Sequence, residues 1–397
     1  MLIFFVISLI TNILNSIIAE VKESFNLSLT ATGFLPFSFF IAYGIMSIPA
    51  GFLAEKYPER KILAISFLLI GLASMGFVVF PNYPSFSITL FCLGSCMAVL
   101  QVIINPMLRV AGGEAHFAFN SVLAQLVFGM ASFISPFLYT ALSSENSAFK
   151  MVALLRELVP TELPWASLYI VFSIIAFTLL IVVLTVKYPK LNRNEDEKSG
   201  SRASYVMLLK SKFTWLYFMS IFAYVGVEQG VGNWMSSFLQ EYHYLDPQTA
   251  GAKTVAYFWG MLTLGCLLGL ILLKFMDSRK LLILFSSITM VCLLAALFLN
   301  ANAALFAFPL VGFFISIMWS VLVSLALNSV KEHHGSLSGI LCSGIAGGAL
   351  LPLLIGAISE WAGIKFGMLF LMVPLGYILS VGFWARPLVN NKTLNIK

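Results

Sequence analysis

Twelve stretches of about twenty residues each run almost without charge, near 1–19, 31–54, 62–80, 85–108, 117–142, 165–187, 213–240, 250–274, 280–299, 303–330, 335–359 and 365–386. A helix needs roughly 20 apolar residues to cross the hydrocarbon of a bilayer. There it must satisfy every backbone N–H and C=O internally, which leaves helices or closed barrels. Runs of this length select helices, so the fold class is all-α integral membrane with 12 transmembrane helices. Only 10% of the 397 residues are charged and 60% are hydrophobic. With a mean hydropathy of +0.95, a chain of this size could not cover itself with a water-soluble surface. The first run has no Lys or Arg ahead of it and no clean small-residue cleavage site, so it is expected to remain as a helix rather than act as a secretory signal.

The distribution of charge sets the expected topology. Counted in alternate loops with both termini on one side, 18 of the 23 basic residues fall on the terminal side and 5 on the other. Cytoplasmic loops collect Lys and Arg, so both termini are expected in the cytoplasm. The net charge of +6 reflects this bias and not a nucleic-acid surface, and no nucleic-acid partner is expected. The cysteines at 92, 96, 266, 292 and 342 all lie inside apolar runs and read as packing residues, since their spacing fits neither a disulfide framework nor a metal site. His333 and His334 have no Cys or further His beside them and are given no ligand role.

The only extended hydrophilic stretch, from Lys187 to Lys212, divides six runs from six. The division expected is a bundle over 1–187, a basic cytoplasmic linker over 188–212 and a second bundle over 213–397. Seven cations against three acids could bring the linker to anionic headgroups; a solvated linker is the plainer reading. The two halves repeat one another: GFLAEKYPERKIL at 51–63 answers GLILLKFMDSRKLL at 269–282, and GMASFISPFL answers GGALLPLLIG. Parallel repeats of this kind place a substrate site at mid-depth between two six-helix bundles.

The segment AYVGVEQGVGNW, residues 223–234, carries the one acid that falls in the membrane under this topology. Of 17 acidic residues, eight fall in loops on each side, and Glu228 remains. A charge there costs roughly 2.5–3.5 kcal/mol on insertion scales and normally faces a bundle interior or wet cavity. Tyr224, four residues earlier, shares its helix face. A protonated Glu228 could instead serve only as a hydrogen bond between helices. Polar pairs at helical spacing occur elsewhere at depth: Asn12 with Asn15, Gln101 with Asn105, Ser121 with Gln125, and Gln229 with Asn233. Amides both donate and accept, as sugar hydroxyls require, but they also hold transmembrane helices together. Asn105, followed by Pro106, fits either use. Trp234, Trp259 and Trp319 could stack on a ligand, with Trp234 and Trp319 preferred, although membrane tryptophans also serve as interface anchors.

At this point the chain resembles the major facilitator superfamily. GFLAEKYPERK resembles the superfamily's loop between helices 2 and 3: Gly51 and Lys56 match, Glu55 stands for an Asp, and Pro58 and Glu59 depart from the pattern. YVGVEQGVGNW, YFWGMLTLG, FFISIMWSVLVSLAL, GGALLPLL and INPMLRVAGG resemble the fucose permease branch, over essentially the whole chain. The resemblance implies the major facilitator fold, a gating loop at Gly51, Glu55 and Lys56, and carriage of a monosaccharide, usually with protons. It also implies no chemical step, a monomer, and a bacterial inner membrane. In that branch helix 1 carries an Asp and helix 4 a Glu, and these positions fall here on Ser16 and Gln101. Gln125 is kept, while Phe128, Cys266 and Ser320 depart.

The function expected is secondary transport of a monosaccharide or similar small polar solute by alternating access. Glu228 would be the coupling residue, and Gln101, Asn105, Gln125, Asn12, Asn15, Asn233, Tyr224, Trp234 and Trp319 would be contacts. No cofactor is expected. A proton, a sodium ion or no ion at all fit these residues, so a facilitative carrier stays open. So do an exporter of apolar or cationic compounds and a transport-inactive sensor.

Overall fold

A computed structural model of the chain describes residues 1–27, 29–143, 150–186, 202–246 and 250–393; within its helices a few side chains, among them those of Asn15 and Ser16, are outside the description. Every described element is helical: α1 (Leu2–Ser24), α2 (Leu29–Lys56), α3 (Glu59–Val79), α4 (Tyr83–Gly112), α5 (Phe117–Ser143), α6 (Lys150–Glu157), α7 (Ser167–Thr185), α8 (Arg202–Lys210) and α9 (Lys212–His243), followed by α10 (Ala252–Leu272), α11 (Ser278–Phe298), α12 (Ala301–Ile315), α13 (Met318–Leu327), α14 (His334–Ser343), α15 (Gly347–Ala362), α16 (Ile364–Leu369) and α17 (Met372–Trp384). Among the described residues, ten stretches are long and apolar enough to cross a membrane, and α1 adds the apolar segment Leu2–Ile13. The twelfth span is α9. Its 32 residues reach across a bilayer easily at 1.5 Å per residue, but the polar cluster around Glu228 lowers its hydropathy.

The sequence punctuates these helices by familiar means. Asn82 accepts the Ser85 amide at 2.9 Å to start α4, and Asp277 and Asn300 cap α11 and α12 in the same way. Gly113 stops α4 with φ +79°, in the region that favours glycine. Spans ten to twelve are each broken: α12 gives way to α13 near Ile317, a short 3-10 turn separates α14 from α15, and α16 breaks into α17. Large apolar side chains such as Ile88, Val291 and Phe306 stand exposed on the perimeter, where lipid is the solvent.

The packing repeats. In the first half α2 lies on α4, α3 on α7 and α1 on α5; in the second, α10 lies on α12, α11 on α17 and α15 on α9. Numbered by span, each pairing in the first half recurs six spans later. The seam obeys the same relation, since α14 crosses α2 and α10 crosses α5.

On the side that carries both chain ends, here the basic side, the seam is tied shut. Glu55 at the end of α2 accepts the backbone N–H of Ser336 at 2.9 Å, placing a carboxylate at the N-terminus of α14, where the helix dipole favours negative charge. Gly51 and Gly339 let α2 and α14 touch: a Cβ on Gly339 would lie 2.6 Å from the Ser47 carbonyl oxygen, and one on Gly51 would lie 2.9 Å from that of Gly335. Lys56 points away from this contact and is exposed, its Nζ 5.4 Å from the Tyr57 ring centre. Buried Arg109 donates through Nε to Asn328 Oδ1 at 2.8 Å and pairs with Glu114 at 2.9 Å, tying α4 to the end of α13.

Residues 187–201 of the linker lie outside the described residues, but its last part is not a solvated strand. α8 rests against α9 and α14, with Tyr205 and Leu208 buried. Tyr205 donates its hydroxyl to the Ile48 carbonyl at 2.7 Å and stacks on Phe52 with ring centres 3.8 Å apart. The apolar run YVMLL within α8 gives the helix a face to bury.

Candidate functional site

At mid-depth the two halves enclose a chamber. The first half contributes Asn12 from α1, Gln101 from α4 and Gln125 from α5; the second contributes Tyr224, Glu228 and Gln229 from α9, Trp259 from α10 and Trp319 from α13. Six of these eight are the site residues expected from the sequence: Asn12, Gln101, Gln125, Tyr224, Glu228 and Trp319.

Glu228 is held by its own helix. Tyr224, one turn below, donates its hydroxyl to Oε1 at 2.8 Å. Its ring is braced at 6.2 Å from that of Trp319. The neighbouring Gln229 amide also hydrogen-bonds the carboxyl, so Glu228 is positioned by two side chains of its own helix where it lines the chamber. The carboxyl has no cation bonded to it among the described residues. It lines the chamber between the halves, as an intramembrane acid normally faces a bundle interior or cavity.

The amides divide into committed and free. Asn12 spends its Nδ2 on Ser132 Oγ at 2.8 Å and on Ser8, holding α1 to α5. Its carbonyl oxygen is the atom it can offer the chamber. Gln101 and Gln125 have no hydrogen bond to protein among the described residues, so their amides are left to ligand or water. Phe128 also lines this wall, opposite the polar groups of α9, and gives the chamber an apolar face.

Three other proposed residues lie elsewhere. Asn105 is buried and directs Nδ2 toward Cys342 Sγ at 4.0 Å, between α4 and α14, so its position suits helix packing. Asn233 and Trp234 sit about one turn beyond Glu228 in a separate vestibule that opens on the side away from the chain ends. Trp234 donates Nε1 to the Pro352 carbonyl at 3.0 Å and so ties α9 to α15. Trp234→Phe is expected to cost roughly 0.5–1.5 kcal/mol of stability through this lost hydrogen bond, measured by thermal unfolding. A selective loss of ligand affinity at unchanged stability would instead return the indole to the binding face. Asn15 lies on α1, and its side chain is outside the described residues.

Phe40 and Trp259 also line the site. Trp259 was visible as an aromatic residue at membrane depth. Phe40 is one of 36 phenylalanines, and nothing local in the sequence marks it. A second carboxyl also bonds within the helices: Glu20, near the end of α1, accepts the Tyr139 hydroxyl from α5.

Comparison with known proteins agrees with this architecture. The sequence profile of the Major Facilitator Superfamily matches residues 1–342. The chain is 29% identical over 394 residues to a glucose/galactose transporter of Brucella abortus, covering 96% of this chain and 92% of that protein. It is 24% identical over 382 residues to the L-fucose-proton symporter of Escherichia coli, covering 91% and 86%. Among solved structures it superposes on the transporter FucP in its outward conformation with a TM-score of 0.85, at 20% identity and over 97% of both chains.

Proposed function

Because the chain belongs to the major facilitator superfamily, we propose that it carries a monosaccharide, or a polyol of similar size, across the membrane together with a proton. One observation carries this reading: a single carboxyl and the uncommitted amides of Gln101 and Gln125 converge from opposite halves on one mid-depth chamber. Amides pair with hydroxyls in either direction, and Trp319 lines the chamber where the apolar side of a sugar ring would lie. The named relatives, a glucose/galactose transporter and an L-fucose-proton symporter, support the same substrate class.

The cycle follows from the geometry. In this conformation the basic side is closed by the Glu55–Ser336 contact and the Arg109–Asn328 hydrogen bond, while the vestibule opens on the opposite side. Glu228 takes a proton from that side, and a sugar bridges its carboxyl to the amides of the first half. The halves 1–187 and 213–397 then rock about the seam as bodies. The basic side opens, and sugar and proton leave together. We assign the basic side to the cytoplasm from the excess of Lys and Arg in its loops, with the carrier acting as a monomer in a bacterial inner membrane.

The test is counterflow in proteoliposomes with glucose, galactose, L-fucose and N-acetylglucosamine, with pH and sodium varied separately. Exchange of at least one sugar that responds to pH and not to sodium is expected. Dependence on sodium would overturn the choice of ion, and absence of exchange with every sugar would overturn the substrate class.

A further inference from the structure

The chamber around Glu228 and the vestibule above it differ greatly in size. The chamber holds about 100 Å³ and the vestibule about 700 Å³. Small-molecule sites usually occupy roughly 300–1,000 Å³. In this conformation the vestibule has room for a sugar ring, and the chamber must widen before it can take one.

The vestibule also has the chemistry of a site. Gln229, Asn233 and Ser237 lie four residues apart along α9 and form one polar stripe that climbs from the chamber toward the open side. Asn233 and Ser237 are exposed and make no hydrogen bond to protein among the described residues. Across from the stripe stand Trp259 and Phe40. The indole lies against α9 at Gly232, where a Cβ would meet Trp259 Cζ2 at 3.3 Å. Phe40 from the first half, with Trp259 and Gln229 from the second, lines both spaces, so these three side chains form the neck between them.

We propose that the vestibule is a second monosaccharide site in series with the Glu228 chamber. A pyranose ring docks there with its hydroxyls on Asn233 and Ser237 and its apolar face on Trp259, then passes the Phe40–Trp259 neck as the chamber widens. This rests on the sugar-carrier reading above. It adds that one chain holds two sugars once the chamber has widened, the vestibule being filled first.

Equilibrium binding of labelled D-galactose to the purified carrier in nanodiscs tests it. Two equivalents per chain are expected for the native protein and one for the double variant Asn233→Ala with Ser237→Ala. For that variant the KM of galactose transport should rise roughly tenfold, the effect of losing one to two hydrogen bonds. Both side chains are exposed, and a thermal melt unchanged from native confirms that the variant folds. One equivalent in both proteins, or two in both, overturns the second site while leaving the carrier reading intact. No binding of galactose to the native protein overturns this proposal, whereas the carrier reading falls only when none of the four sugars exchanges.

Discussion

Replacing Glu228 by Gln is expected to abolish accumulation of sugar against its gradient while leaving the protein folded. Gln is nearly isosteric and still accepts the Tyr224 hydroxyl at the position where Oε1 now receives it at 2.8 Å, but it cannot take up and release a proton. The carboxyl that meets the sugar is protonated and neutral, and such a hydrogen bond contributes roughly 0.5–1.5 kcal/mol, so sugar affinity should fall by no more than about tenfold. Uphill uptake in energised vesicles and galactose counterflow measure the two effects separately. If the variant accumulates sugar as the native carrier does, the proton travels by another group and the coupling role of Glu228 is lost.

A second large effect is expected where α2 crosses α14. Gly339→Ala brings a methyl group to within 2.6 Å of the Ser47 carbonyl oxygen and 3.2 Å of Gly51 Cα. Backbone atoms on both sides of the seam cannot yield as a side chain would, so the two halves must separate on the basic side. Overpacking typically costs 1–3 kcal/mol, which biases the equilibrium by roughly fivefold to a hundredfold toward a conformation open on that side. Probes at exposed Arg60 and Lys331, one on each half, should move apart in the population of distances they report. Their distances remaining as in the native carrier would show that this crossing does not hold the closed state.

Much of this architecture is legible in the sequence because a bilayer imposes a length on every span. Twelve apolar runs and a basic interruption between two sets of six give the plan before any packing is known. Glu228 and Tyr224 are legible for a similar reason, since spacing by four on a helix fixes a shared face. Facing relations between distant helices leave no such trace. Asn12 and Gln101 look alike in sequence, yet one spends its nitrogen on Ser132 while the other is left to the chamber. Trp234 stands in the same polar cluster as Glu228, and only the approach of Pro352 shows where its N–H goes. The linker's composition suggested solvent. The run YVMLL marks a face to bury, but the cleft that receives Tyr205 exists only once α2 and α14 have met, and nothing local within 188–212 names that partner.

Tyr205 sits on the strand of backbone that joins one half to the other, and its hydroxyl is anchored on Ile48 at the point where the halves close. The covalent tether is thus also part of the bolt. Any movement of α8 is delivered to the crossing itself, so the two bundles are joined there by packing as well as by the covalent chain.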